Sequence, residues 1–182
     1  LDLSVPRIGA PAVWSSGVTG SGVAVAVIDT GVDKNHAFLT GAVVSEACYS
    51  NANQAPGSAC GTGCTSYSVC PSGVNTSVAA GSAMPYGGSC PAGECDHGTH
   101  VAGIVAGRNN GSFSGVASGA SVIAIQAFSR FIDPVLCSPD ASCALAYTSD
   151  VMRALQRVVD LRSSFNIAAV NMSLGGGRYY AA

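Results

Sequence analysis

The sequence contains little charge and no cluster of basic residues. Only 10% of its 182 residues are charged, and eight Lys and Arg are outnumbered by ten Asp and Glu, which gives a net charge of −2 at pH 7. Proteins that bind nucleic acid through its phosphates need a basic surface, so we expect no nucleic-acid partner. The 48% of hydrophobic residues is typical of a densely packed domain and excludes a disordered chain.

Long apolar runs are missing as well. No segment approaches the roughly 18 consecutive apolar residues that a membrane span requires, so we expect no membrane partner. The chain begins at Leu1 without the charged and then apolar segment of a secretory signal, and we interpret it as a mature, processed chain. Its length corresponds to about one domain, with enough residues to bury a core.

Cysteine, by contrast, is abundant. Eight are present, and six of them fall within a Gly-, Ser- and Pro-rich stretch at residues 45–95. Zinc sites usually contain C-x-x-C pairs, and the cysteines here are more widely spaced, so disulfides are favoured and zinc is the alternative. Disulfides indicate an oxidising compartment, and we therefore expect a secreted protein. Only Cys137 and Cys143 suggest a local pair; the other six are Cys48, Cys60, Cys64, Cys70, Cys90 and Cys95.

Apolar runs and helical patterns alternate along the rest of the chain. Short apolar runs at residues 22–28, 122–128 and 167–174 predict buried strands, and the patterns at residues 97–107 and 148–162 predict helices. Strands that alternate with helices are typical of an α/β fold with a parallel sheet. The stretch at 45–95 has almost no periodicity, and we interpret it as a long cross-linked loop with room for one strand near its start.

The second of these helices is predicted in more detail. Thr148 or Ser149 is the candidate N-cap, because a side-chain oxygen at that position accepts from the free N–H groups of the first turn. The apolar positions that we expect to face the core are Val151, Leu155, Val158 and Val159.

Asp29 stands at the end of the first predicted strand, in the sequence Ile28-Asp29-Thr30-Gly31. A buried carboxylate is costly to desolvate, so Asp29 needs a hydrogen-bond donor. One interpretation is an Asx turn that merely ends the strand. Another is the Asp-Thr-Gly signature of aspartic proteases, whose mechanism needs two carboxylates that share a proton. The chain contains no second such motif, so that mechanism would require a homodimer.

Two histidines, His97 and His100, stand at the start of the first predicted helix. As zinc ligands they would need a third partner and usually a spacing of four, and the alternative is that they are helix-cap or core histidines. The small residues that follow, among them Gly98 and Ala102, leave one helix face without bulk. Such a face allows close approach to a strand or a substrate.

Three segments in this order, at residues 25–33 (VAVIDTGVD), 97–103 (HGTHVAG) and 171–176 (NMSLGG), closely resemble the subtilisin-like serine proteases, or subtilases. The resemblance lapses only in the Cys-rich stretch and around residues 130–147. It implies a three-layer α/β/α fold with a mainly parallel sheet, of which residues 1–182 form the N-terminal part and residues 45–95 a disulfide-rich insertion. The implied activity is that of a secreted serine endopeptidase.

The resemblance also implies roles for individual residues. Asp29 falls on the position of the triad acid and His97 on that of the general base. The substrate-binding strand, which pairs with extended peptide, falls on Ser173, Leu174, Gly175 and Gly176. Asp33 and His36 also match family positions, and we expect structural roles for them.

The family's nucleophilic Ser and oxyanion Asn are expected beyond the substrate strand, and nothing after Gly176 matches them. The sequence at residues 81–85 (GSAMP) mimics the family's Gly-Thr-Ser-Met-Ala element, but it lies between Asp29 and His97 and is rejected. We therefore expect a companion segment that carries the Ser and the Asn, separated by a nick near residues 178–182 or built as another chain. This chain alone is expected to be inactive. The alternative is a non-catalytic subtilase-like scaffold that binds peptides or a protein partner.

Two further expectations concern ligands. The chemistry requires no cofactor, and structural calcium is an expectation for the loop that contains Asn109 and Asn110, where family members often bind the ion. Phe128 and Leu174 indicate an apolar substrate subsite.

Overall fold

A computed structural model of the chain describes residues 1–52, 63–87, 94–108 and 113–175. In chain order, its helices and strands are α1 (Ser4–Arg7), α2 (Ala10–Ser15), β1 (Ala24–Asp29), β2 (Val43–Tyr49), β3 (Thr65–Tyr67), β4 (Thr76–Ser77), α3 (His97–Ala106), β5 (Ser121–Gln126), β6 (Ser129–Ile132), β7 (Ser142–Leu145), α4 (Thr148–Leu161) and β8 (Ile167–Asn171). Short 3₁₀ helices occupy Ala37–Leu39 and Pro71–Gly73.

Five strands form the central sheet in the order β4-β2-β5-β1-β8. β1 pairs in parallel with β5 and β8, β2 pairs in parallel with β5, and the short β4 is antiparallel to β2. The interior strands β1 and β5 consist mainly of Val, Ile and Ala and are almost wholly buried, as expected for parallel strands covered on both faces. The predicted α/β fold with a mainly parallel sheet is confirmed.

Helices cover both faces of this sheet. Successive residues of a strand point to opposite faces, so Ile28 packs with Val158 of α4 while Val27 packs with Ala102 of α3. The small side chains of α3 let that helix lie close to β1. The result is the three-layer arrangement that the sequence predicted.

A second, antiparallel sheet has the order β3-β6-β7. Only Ala127 and Phe128 separate β5 from β6, so this sheet starts at the carboxyl edge of the central one. Its core contains Phe131 and Tyr147, whose ring centroids lie 5.1 Å apart. The interpretation of residues 45–95 as a loop with one strand is partly wrong, because β3 and β4 lie there after β2. Strands of two or three residues show no alternation that a sequence pattern could reveal.

All six cysteines in the described part of the chain are disulfide-bonded. Cys48, in β2, pairs with Cys70 at a Cα–Cα distance of 5.7 Å, and Cys137 pairs with Cys143 as predicted. The remaining two, Cys64 and Cys95, also take part in disulfides. The preference for disulfides over zinc is confirmed for these six; Cys60 and Cys90 lie outside the described residues.

Helix α4 differs from its prediction at both ends. Its N-cap is Tyr147 without a side-chain cap bond, rather than Thr148 or Ser149. The carboxylate of Asp150 turns inward instead and accepts hydrogen bonds from a distant loop, which fixes the start of the helix. Val159 is 48% exposed, whereas Leu161 is buried.

Strand β8 ends at Asn171 and not at residue 174 as predicted. Within the described residues β8 is an edge of the sheet with β1 as its only neighbour, and its middle residues are exposed. Burial on both faces is expected for the full sheet, in which the companion segment adds a neighbour to this strand, and it stays a prediction. Within the described residues, no helix is long and apolar enough to cross a membrane.

Candidate active site

Asp29 is the last residue of β1, and its side chain is completely buried. Its Oδ1 lies 2.8 Å from Nδ1 of His97 and accepts the N–H of Thr30 at 2.7 Å. The backbone carbonyl of Asp29 accepts the N–H of Ala127, which anchors it to the end of β5. The donor that a buried carboxylate requires is therefore present, and it is a histidine rather than a second carboxylate.

His97 is the first residue of α3, and 42% of its side chain is exposed. A carboxylate only accepts hydrogen bonds when ionised, so the contact with Asp29 assigns the proton to Nδ1. Nε2 is then the unprotonated nitrogen of the neutral ring, with a lone pair available to accept a proton. This arrangement is that of a histidine oriented by a carboxylate for general-base chemistry.

The hydroxyl of Thr30 ties the end of β1 to the start of α3. Its Oγ1 donates to the carbonyl of Cys95 at 3.2 Å and accepts the N–H of Gly98 at 3.1 Å. These two bonds bracket His97 in sequence. The relative position of Asp29 and His97 is therefore set by backbone contacts as well as by their own hydrogen bond.

Gly31 follows with a φ of +104°, a conformation that favours glycine. A Cβ at this position would lie 2.9 Å from the carbonyl oxygens of Ala83 and Met84. The segment at 81–85 thus packs directly on the loop after Asp29, and Val32 donates its N–H to the carbonyl of Ala83. Ser82 in this segment is 1% exposed, so its hydroxyl is sterically closed to a substrate, in agreement with the rejection of this segment as a nucleophile element.

The predicted substrate strand follows β8 at the same edge of the sheet as Asp29, because β1 and β8 are parallel. Ser173 and Gly175 are exposed, and Leu174 is half-buried against the core beneath α4. The hydroxyl of Ser173 donates to Oδ1 of Asn171 at 2.9 Å. Gly176 lies outside the described residues.

Asp33 and His36 make local backbone contacts. Oδ1 of Asp33 accepts the N–H of Asn35, and Nδ1 of His36 accepts the N–H of Phe38 at the start of a 3₁₀ helix. Asn109 and Asn110, on which the calcium expectation rests, lie outside the described residues, and that expectation stays a prediction. Among the residues that are described, no group of three or more His, Cys, Asp or Glu side chains is placed to hold a metal.

Sequence reasoning missed Gln126, the residue of β5 opposite Asp29. Its side chain is buried, donates from Nε2 to the carbonyl of Thr30 and accepts the N–H of Phe128 at 2.7 Å. A lone amide at the end of an apolar run was the available signal. Gln126 joins the loop after Asp29 to the segment that contains the predicted apolar subsite residue Phe128.

Comparison with known proteins agrees with this geometry. The model of the Subtilase family matches residues 20–182. This chain belongs to the subtilase family. It is 37% identical over 127 residues to the minor extracellular protease Vpr of Bacillus subtilis (strain 168). The aligned region is 69% of this chain and 12% of Vpr. Subtilisin E of the same strain and subtilisin J of Geobacillus stearothermophilus are each 31% identical over 173 residues, or 94% of the chain. This subtilase chain spans 32% of the length of each subtilisin.

Proposed function

We propose that this chain is part of a secreted serine endopeptidase in which Asp29 and His97 are two members of an Asp-His-Ser triad. The observation that carries the proposal is the 2.8 Å contact between Asp29 Oδ1 and His97 Nδ1, at the family positions of both residues. Secretion is supported by the disulfides and by relatives such as Vpr, whose name describes an extracellular protease.

In this mechanism His97 acts through Nε2. The ring takes the proton of the serine hydroxyl as that oxygen attacks the peptide carbonyl, and later delivers it to the leaving amine. Asp29 keeps the proton on Nδ1 and stabilises the imidazolium that forms in between. Its complete burial strengthens this electrostatic effect, because the surrounding dielectric is low.

Ser173, Leu174, Gly175 and Gly176 bind the substrate in this proposal. An extended peptide pairs with a backbone segment that presents free N–H and C=O groups, and the two glycines have no side chain to obstruct it. The exposure of Ser173 and Gly175 supports this role.

The serine and the oxyanion Asn come from a companion segment or chain, because no residue of the described part supplies them. We propose that this segment also adds a strand beside β8. The exposed residues Ala168, Ala169 and Val170 support such an addition, as does the edge of β8 that no described strand pairs with, since unpaired strand edges recruit partners.

The test compares His97→Ala with His100→Ala in the complete enzyme. Without a general base the serine is a weak nucleophile, so His97→Ala lowers kcat by several orders of magnitude. His100, exposed one turn further along α3, serves as the matched control and its loss leaves kcat within a few-fold of the wild type. Near-normal kcat in His97→Ala would overturn the assignment.

Inhibitors give a second readout. A serine-directed phosphonate should block the enzyme and pepstatin should not, because the proposed nucleophile is a serine and not a water activated by two carboxylates. An acidic optimum with pepstatin sensitivity would indicate an aspartic protease. If the protein binds peptides but neither cleaves them nor reacts with the phosphonate, the alternative function, a non-catalytic subtilase-like binding scaffold, would be indicated.

A further inference from the structure

A small, mainly apolar pocket lies beside the Asp29–His97 pair, where the central sheet meets the second sheet. Its lining includes Thr30 and Phe128, which follow β1 and β5, together with Val69, Tyr86 and Arg130. Among the described residues of this lining, Arg130 is the one cation, and the other members are neutral. Arg130 is the second residue of β6, in the region where the family resemblance lapses.

Within the part of the chain that the structure describes, the guanidinium of Arg130 has no anionic partner. Its Nε is buried and makes no hydrogen bond within the described residues, and its Nη1 has one long contact of 3.5 Å, to the hydroxyl of Tyr86. No carboxylate of the described residues lies within ion-pair distance of it, whereas Lys34 and Arg153 each have one. Arg130 thus differs from these two basic residues.

Glu94 is the acidic side chain expected to neutralise Arg130, because it reaches Ala144, the residue opposite Arg130 in the β6–β7 pair. Its Oε2 instead accepts the N–H of Ala144 at 2.8 Å. One oxygen of the Glu94 carboxylate thus contacts the backbone of β7, and within the described residues Glu94 forms no ion pair with Arg130.

Tyr86 makes two contacts with the guanidinium of Arg130, the long hydrogen bond and a contact through its ring. The carbon at the centre of the Arg130 guanidinium lies 6.0 Å from the centroid of the tyrosine ring, at the limit of a cation–π contact. Buried donors without acceptors are costly, and a charge-assisted bond to a carboxylate is among the strongest that a planar guanidinium forms. A partly desolvated cation that has no anionic partner among the described residues can therefore receive one from a ligand.

We propose that Arg130 forms a specificity subsite that binds the side-chain carboxylate of an Asp or Glu residue in the peptide substrate. This inference rests on the proposed peptidase function. The ends of β5, β1 and β8 follow one another along a single edge of the sheet, so the pocket at the end of β5 is two strand spacings from the substrate segment after β8. That distance is about 10 Å, which about three residues of extended peptide span.

The experiment uses peptides that differ only in Glu or Gln at one position, scanned across the cleavage site of the complete enzyme. At one position a few residues from the scissile bond, the Glu peptide should have a kcat/KM about tenfold higher than its Gln counterpart. In Arg130→Gln the kcat/KM values of the Glu and Gln peptides should be nearly equal, and Arg130→Lys should keep part of the preference for Glu. Tyr86→Phe retains the ring and should keep most of it. Arg162→Gln, an exposed arginine at the end of α4 that does not line the pocket, should leave the preference unchanged.

Binding provides a readout that does not depend on cleavage. Calorimetry of the His97→Ala protein with the same peptides should show that the Glu peptide binds about tenfold more tightly than the Gln peptide. In the double variant that also carries Arg130→Gln, the two peptides should bind equally. Equal values for the two peptides, or a preference that survives Arg130→Gln, would overturn the subsite. Absence of cleavage with all peptides would count against the proposed peptidase function, and the binding comparison would then decide the subsite by itself.

Discussion

Gly98 packs against Asp29 so closely that a Cβ on the glycine would lie 2.9 Å from the Cβ of the aspartate and would overlap the carbonyl of Gly31. Real Cβ atoms essentially never approach other atoms to that distance, and Asp29, as the last residue of β1, cannot move away without shifting the end of that strand. The contact explains how a helix can begin directly above the end of a buried strand. It also shows why the face of α3 that lacks bulky side chains matters for His97, the residue before Gly98: the close contact at Gly98 keeps His97 next to Asp29.

We therefore predict that Gly98→Ala damages the site more than its small size suggests. The added methyl group pushes the first turn of α3 away from β1 and lengthens the contact between Asp29 and His97. We expect kcat to fall at least about tenfold, because small displacements of catalytic groups are costly, and the melting temperature to fall as well. Steady-state kinetics and thermal unfolding of the complete enzyme measure both effects.

Gly103→Ala is the matched control, since it lies on the same helix. Among the described residues, a Cβ there would meet only the ring of Phe38, at 3.4 Å, which is an ordinary contact. Alanine stabilises a helix interior by about 1 kcal/mol relative to glycine, so stability should be unchanged or higher and kcat unaffected. Equal loss of activity in the two variants would show that the contact with Asp29 is not the cause.

The parts of the fold that could be predicted are those whose sequence pattern is local. The apolar runs predicted β1 and β5, and the pattern of small residues predicted α3. The pairing of Asp29 with His97 followed from a carboxylate at a strand end and a histidine motif matched to a family. The strands and α3 were predicted without knowledge of a distant partner, whereas the Asp29–His97 pair, 68 positions apart, was predicted only through the match to a family.

The rest depends on contacts between distant residues. The start of α4 is fixed by Asp150 and Asn51, which are 99 positions apart, and this interaction replaces the predicted cap at Thr148 or Ser149. The Arg130–Tyr86 contact joins residues 44 positions apart. Such pairs leave no periodic signal, because either residue alone is compatible with an ordinary surface position.

A second prediction concerns the ion pair between Lys34 and Glu46. The Nζ of Lys34 lies 2.5 Å from Oε2 of Glu46, which also accepts the N–H of Gly81 at 2.9 Å. The glutamate side chain is only 8% exposed, whereas the lysine is 31% exposed. The two residues therefore respond differently to loss of the partner, because the lysine can turn to water and the glutamate cannot.

We expect Lys34→Met to destabilise the protein more than Glu46→Gln. The first change leaves a buried carboxylate without its cation, at a cost of about 2–4 kcal/mol, and the second leaves a neutral amide that can still accept from Gly81, at about 1–2 kcal/mol. Chemical denaturation of both single variants and of the double variant measures the order. A larger loss in Glu46→Gln would contradict the argument from burial.

The disulfides give a third prediction. The eight cysteines should yield few or no free thiols in the unfolded, unreduced protein, since the six described ones are all bonded. Cys48–Cys70 closes a separation of 22 residues and Cys137–Cys143 one of 6. In the chain-entropy model their removal by paired Ala substitutions costs about 3 and about 2 kcal/mol respectively. Stoichiometric zinc with reactive thiols would contradict the disulfide assignment and the proposed secretion.

The final prediction rests on Asp150, whose carboxylate is completely buried at the start of α4. Its Oδ2 accepts the backbone N–H of Asn51 at 2.8 Å, and its Oδ1 accepts from the side-chain amide of the same residue at 2.7 Å. Burial raises the pKa of Asp150 above its ordinary value of 3.8, and the bond from Asn51 and the charge of Arg153 offset this only in part. The folded state therefore holds this proton more tightly than the unfolded state does.

The sign of the pH dependence follows from that difference. Below pH 3.8 Asp150 is protonated in both the folded and the unfolded state, and the contribution of its raised pKa to stability is complete. This contribution is lost as the pH rises through the higher pKa of the folded state. The melting temperature of the wild type relative to Asp150→Asn, which cannot ionise, should therefore decrease as the pH rises from below 3.8 toward neutral. Asp160→Asn, at an exposed position on the same helix, gives the background effect of losing one carboxylate. The opposite result would be a melting temperature of the wild type, relative to Asp150→Asn, that increases with pH after this background is subtracted. It would show that the hydrogen bonds from Asn51 outweigh burial.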